Sequence, residues 1–167
     1  MKAFGYQALA AITGLALMSS ATYAANGNLG RSSSAEVQLQ AAVANLVRIS
    51  RLDNLNLGEF DGSNDLSAND GFCVYRNGVA NYVITATTSE GDFVLIDDNN
   101  ELGYSVAISG TNISYASPLQ LSNANTSSLS CNDSDNVNVE VSIASNDLLT
   151  VPAGAYAGTL TLTVAPE

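Results

Sequence analysis

Apolar and polar positions alternate most regularly near the end of the chain. Tyr156, Leu160, Leu162 and Val164 fall on one face there, and Ala157, Thr159, Thr161 and Thr163 on the other. A period of two is the signature of a strand with one face buried. Only Ala165, Pro166 and Glu167 follow, so no later strand is expected beside it. Val137, Val139, Val141 and Ile143, interleaved with Asn138, Glu140 and Ser142, predict a second strand of the same kind.

The middle of the chain reads as short strands separated by Gly, Asn and Asp turns. Strands are expected at 55–57, 72–75, 81–87, 92–96 and 102–108, with a turn at 61–65. Asn77-Gly78 supplies the positive φ angles of a tight hairpin between 72–75 and 81–87, and residues 97–100 form a second hairpin turn. From 111 to 134 the chain is rich in Ser, Thr and Asn, and reads as loop with strand pieces at 112–115 and 119–121. Many short strands without a sustained helical period predict an all-β, antiparallel sandwich of immunoglobulin-like size. Tryptophan is absent, so the antibody-domain core is not the one being built.

Residues 36–50 carry two incompatible signals. Val37, Leu39, Ala41 and Val43 alternate with Gln38, Gln40 and Ala42, as in a strand. Leu39, Val43, Leu46, Val47 and Ser50 sit at helical spacing, and Ser33 with Glu36 fits a capping box. Ala, Leu and Gln favour helix, so local propensity tips slightly that way.

The first residues have a different character. Lys2, an apolar stretch from Leu9 to Met18, and the small residues before Ala24 read as an export leader spanning residues 1–24, with Ala21 as a second cleavage choice. The apolar stretch is shorter than the roughly 20 residues a membrane span needs, and no later one approaches that length, so no membrane insertion is expected. Residues 25–34 are small and polar, as in a flexible lead-in. The whole chain carries a formal charge of −11, and past residue 24 its only cations are Arg31, Arg48, Arg51 and Arg76. Nucleic-acid binding rests on neutralising phosphates, which such a surface does not do.

Candidate chemistry is sparse. Cys73 and Cys131 form a natural disulfide in an exported protein. A thiol nucleophile or a metal-ligand pair are the alternatives, and the absence of histidine weakens both. That absence also removes the Ser-His-Asp and Cys-His triads. No phosphate-binding glycine loop is present, so neither a catalytic residue nor a cofactor is assigned. The acids lie in turns such as Asp97-Asp98 and Asp133-Ser-Asp135, where turn formation explains them. They could supply oxygen ligands to calcium, but without the spacing of a helix–loop–helix calcium site. Asn-x-Ser/Thr sequons begin at Asn112, Asn125 and Asn132, as expected by chance in so Asn- and Ser-rich a chain.

In order along the chain, the alternating Val37–Val43, Leu55-Asn-Leu57-Gly58, Phe72-Cys-Val-Tyr75, Asn81-Tyr-Val-Ile-Thr-Ala-Thr87, Leu102-Gly-Tyr-Ser-Val106, Cys131 and the closing Pro152–Leu162 stretch resemble the pilins of the bacterial chaperone-usher pathway. The resemblance covers nearly the whole chain past residue 24. It departs from the best-known members at Cys73, which lies on the apparent second strand instead of the first. The resemblance implies an incomplete immunoglobulin-like sandwich, lacking its last strand, over residues 46–167. It implies an N-terminal donor extension over residues 25–45, with Val37, Leu39, Ala41 and Val43 as the inserted side chains. Tyr156, Leu160, Leu162 and Val164 would then line the groove that the extension of another copy fills. Implied partners are other pilus subunits, a periplasmic chaperone and an outer-membrane usher, with export through the periplasm to a surface fimbria. A tip or minor adhesive subunit, and a self-contained exported β-sandwich, are the alternatives.

Overall fold

The computed structural model describes residues 24–167, and the expected leader lies outside them apart from Ala24. The chain divides into two units, one ending at Val43 and the other spanning Ala44–Glu167. In the first, residues 24–43 are exposed and form neither helix nor strand. An isolated antiparallel bridge joins Ala25 and Glu36, whose N–H donates to the Ala25 carbonyl at 3.2 Å. The helix that local propensity favours over residues 36–50 is not formed, and Val47–Ser50 is strand instead. Propensity alone rarely holds a helix of this length, which needs an apolar stripe packed against something. Leu39, Val43 and Leu46 are exposed instead.

The second unit is all-β apart from two short turns of helix. Its strands are β1 (Val47–Ser50), β2 (Leu66–Arg76), β3 (Tyr82–Thr87), β4 (Val94–Asp97), β5 (Asn100–Gly103), β6 (Ser105–Ile108), β7 (Thr111–Ile113), β8 (Leu119–Leu121), β9 (Val137–Ile143) and β10 (Thr161–Pro166). Between β9 and β10 lies the single helical turn α1 (Ser145–Leu148). One sheet has the order β1-β2-β9-β6-β7, the other β10-β3-β8, and β4-β5 forms a hairpin of its own; all these pairings are antiparallel.

Alternation sends one face of each sheet into a shared core. Phe72, Val74, Val106, Ile108, Val137, Val139 and Val141 come from the larger sheet, and Tyr82, Ile84 and Ala86 from the smaller. The fold is therefore an antiparallel β-sandwich. Burial pushes the Tyr82 phenol up to about 12, so it stays neutral and donates to Asn123 Oδ1 at 3.0 Å.

The Asn77-Gly78 turn does not close a hairpin. Gly78 takes φ +84°, but β2 and β3 lie in different sheets. The end of β2 is already flanked: Ser50 to Val47 pair with Cys73 to Arg76, while Asn125 exchanges backbone bonds with Val74 and Arg76 at 2.9 Å each. No edge is left there for β3, and the turn carries the chain across the core. The hairpin at residues 97–100 does form, between β4 and β5, with Asp98 at φ 52°.

Two expected strands are shorter or unpaired. Leu55 and Leu57 keep the in-out alternation, yet residues 51–61 form no ladder. The last strand begins at Thr161 instead of Tyr156, because the segment ahead of it is drawn to the β4 hairpin, where Ala157 pairs with Ile96. Between Asn112 and Ser134 the chain is better anchored than its composition suggests. Cys131 is bonded to Cys73 across a sequence separation of 58, so both cysteines are structural. Asn136 accepts from Val74 N–H at 2.8 Å and donates to the Val74 carbonyl at 2.9 Å.

Candidate functional site

β10 lies beside β1, and β3 pairs with one of its edges; no strand among the described residues takes the other. The chain leaving β1 runs through residues 51–61 without a backbone–backbone hydrogen bond. Asp53 N–H instead uses the Asp70 carboxylate at 2.7 Å, and Gly58 N–H uses its neighbour Asn56 Oδ1 at 3.0 Å. Two rows of peptide groups thus face each other across a gap without strand partners, the condition of an unprotected sheet edge.

Leucines and polar groups line the gap. Two clefts of about 660 and 430 Å³ share Leu55, Leu57, Leu95 and Gly158, so they form one continuous groove. At the wider end the lining includes Phe60, Leu66, Leu102, Leu148, Val151 and Tyr156. The narrower end is lined by Leu52, Tyr104, Leu160 and Leu162, with the buried Val139 and Val141 as part of its lining. The groove therefore reaches the core between the sheets.

Of the residues expected to line it, Tyr156 sits at the wide end, and Leu160 and Leu162 at the narrow end. Val164 is half-buried against the core and lies outside both clefts. Tyr156 donates its hydroxyl to the Pro152 carbonyl at 2.9 Å. Burial and then Asp97 raise its pKa, and Tyr104 is raised by burial and then by Glu90 and Asp92. Both phenols are therefore uncharged at neutral pH.

Sequence reading missed the opposite wall and the floor. Leu55 and Leu57 were visible as an alternating pair, but their unpaired state depends on contacts far along the chain. Leu95, Val139 and Val141 read simply as strand residues, with nothing local to mark them as groove lining.

In the N-terminal unit Val37, Leu39 and Val43 are 73%, 88% and 84% exposed, and Ala41 is exposed as well. Residues 37–43 are uncharged.

Among the described residues the remaining candidates are not gathered into a second cluster. Asp133 and Asp135 lie 3.3 and 2.8 Å from Arg51 as surface ion pairs. Among the described residues no group of three or more His, Cys, Asp or Glu side chains is placed to hold a metal ion. No helix there is long and apolar enough to cross a membrane.

No protein-family model matches the chain, and no curated protein matches it. Among solved structures, a chain from work on a chaperone–tip adhesin complex in the biogenesis of CFA/I fimbriae is similar at 19% identity with a TM-score of 0.41. The match covers 72% of this chain and 41% of that one, so this chain spans less than half the length of the protein it matches.

Proposed function

We propose that the chain is a structural subunit of a surface fimbria, polymerising when the N-terminal extension of one copy enters the groove of the next. The observation that carries this is the groove itself: a trough lined by leucines and by polar groups, open to the core and flanked by the edge of β10 that no described strand pairs and by the unpaired stretch 51–61. An extended segment with alternating apolar side chains fits both of its features. Main-chain groups satisfy the edges, and alternate side chains fill the floor.

Val37, Leu39, Ala41 and Val43 are the side chains inserted. Burying Val37, Leu39 and Val43 stabilises the joint by roughly 1.5–3 kcal/mol each, and Ala41 contributes less. Before assembly the groove needs a temporary occupant, the role of a periplasmic chaperone, and an outer-membrane usher carries out the exchange. No step requires a catalytic residue or a cofactor.

Electron microscopy of cells carrying and lacking the gene tests the proposal, together with Leu39→Arg and Val43→Arg variants. Fibres are expected only from the wild type, with the chaperone complex retained by both variants. Normal fibres from both variants contradict the assignment of the inserted segment. Immunogold labelling along the shaft is expected, and labelling confined to fibre ends favours a tip subunit.

A further inference from the structure

β1 stops where its register would let it go on. The pairing with β2 runs from Val47 opposite Arg76 to Ser50 opposite Cys73. The same register would set Arg51 opposite Phe72, Leu52 opposite Gly71 and Asp53 opposite Asp70. Beyond Cys73 no described strand lies on that side of β2, yet the chain leaves it.

The cause is Arg51. Cross-strand partners share one face of a sheet, and Phe72 is fully buried. An unbroken ladder would therefore carry the guanidinium into the core beside Phe72, where an unpaired charge is costly. Arg51 instead takes φ 71°, a left-handed conformation that a non-glycine residue enters at a cost. Its side chain lies at the surface, where Nε donates to Asp135 Oδ1 at 2.8 Å and Nη1 to Asp133 Oδ1 at 3.3 Å. Gly71 leaves room for this arrangement, since a Cβ there would lie 2.8 Å from Asp135 Oδ2. Past the turn, Asp53 N–H meets the Asp70 carboxylate at 2.7 Å. A side chain thus receives the residue that would have faced Asp70 in the ladder.

We infer that Arg51 is a positioning residue for the groove: by ending β1 it keeps residues 52–61 as a wall of the trough, with Leu55 and Leu57 in the lining. It thereby decides whether an extended segment finds two edges or one. This rests on the reading of the groove as the seat of such a segment.

The test uses the chain carrying Leu39→Arg and Val43→Arg, so that its own extension does not compete, and a fluorescent peptide of residues 35–45. Arg51→Val supplies an apolar, β-branched residue that fits beside Phe72 and disfavours positive φ. Arg51→Gly takes positive φ without strain. Bonded pairs recur at every second residue of an antiparallel ladder. Val74 and Arg76 turn their backbone groups to Asn125, so the bonded pairs with β1 fall at Cys73 and, if the ladder continued, at Gly71 with Leu52. In Arg51→Val the Leu52 amide is expected to exchange about tenfold more slowly, as for one hydrogen bond gained. The peptide is expected to bind about tenfold more weakly, as for loss of part of the apolar lining. Arg51→Gly is expected to match the parent in Leu52 exchange and to bind the peptide much as the parent does, exposed ion pairs contributing little. Unchanged Leu52 exchange in Arg51→Val, or equal capture by the two variants, overturns the inference. If the parent itself captures no peptide, the fimbrial reading of the groove fails instead, and Leu52 exchange still decides whether Arg51 ends β1.

Discussion

Ile96 and Ala157 exchange a pair of backbone hydrogen bonds, 2.9 Å from Ile96 N–H to the Ala157 carbonyl and 3.0 Å in return. This bridge binds the β4–β5 hairpin to the segment ahead of β10, and Leu95 and Ala157 beside it line the wide end of the groove. Ala157→Pro removes one donor. The expected result is a loss of roughly 1–3 kcal/mol, from a carbonyl left without its partner. Thermal unfolding checks the stability, and reduced capture of a peptide spanning residues 35–45 checks the groove.

The disulfide closes a loop that contains β3 to β8. Cys131, Asn132 and Asp133 follow one another at φ 54°, 54° and 61°, a left-handed run that these residue types enter at a cost. Replacing both cysteines by alanine is expected to lower stability by about 4 kcal/mol in the chain-entropy model. Denaturant titration of the chaperone-bound subunit measures it. Loss of order should centre on residues 128–135, which hydrogen exchange resolves.

Arg76 anchors the end of β10 from inside the sandwich. Arg76→Leu keeps an apolar stem but removes the donors to Asn81 and Glu167, and hydrogen bonds from a charged group are worth about 1.5–3 kcal/mol each. A loss of about 2 kcal/mol is expected, because leucine also relieves the buried charge. Faster amide exchange at Thr163 and Ala165 would accompany it, since the strand then frays from its end.

Acid sensitivity has identifiable sources. Asp61 accepts from Ser63 N–H at 2.9 Å, from Asn64 Nδ2 at 2.9 Å and from Asn64 N–H at 3.1 Å, which hold its pKa well below the ordinary 3.8. Asp65 is lowered by the N–H of Ser145, at 2.7 Å. A depressed carboxylate stabilises the fold above its unfolded pKa, and that contribution is lost as pH falls through the folded value. The melting temperature should therefore be level above about pH 5 and decline below about pH 4. An Asp61→Ala, Asp65→Ala double variant should show a shallower decline across the same range.

Strand identity was largely legible along the chain, and strand partnership was not. β9 announced itself through Val137 to Ile143, because alternation is local. Asn77-Gly78 reads locally as a hairpin, yet where the chain goes after a turn depends on which edges are free, and Asn125 had already taken that of Val74. The helical signal over residues 36–50 failed because Leu39 and Val43 have nothing in their own unit to pack against. The groove was half visible: Leu160 and Leu162 follow from the terminal alternation. Leu95, Val139 and Val141 enter through folding of distant segments. Arg76 at a core-parity position gave no signal at all, since a charge on an inward face looks like the end of a strand.

The most direct measurement is cysteine cross-linking across the proposed joint in assembled material, with the native Cys73–Cys131 bond intact. Leu39→Cys is combined in turn with Leu160→Cys, Leu162→Cys and Val164→Cys, and products are separated without reductant. If the extension of one copy fills the groove of the next, at least one pair yields a ladder of covalent multimers that collapses to monomer on reduction. Only monomers from every pair, whether uncross-linked or internally bonded, would contradict polymerisation through this groove.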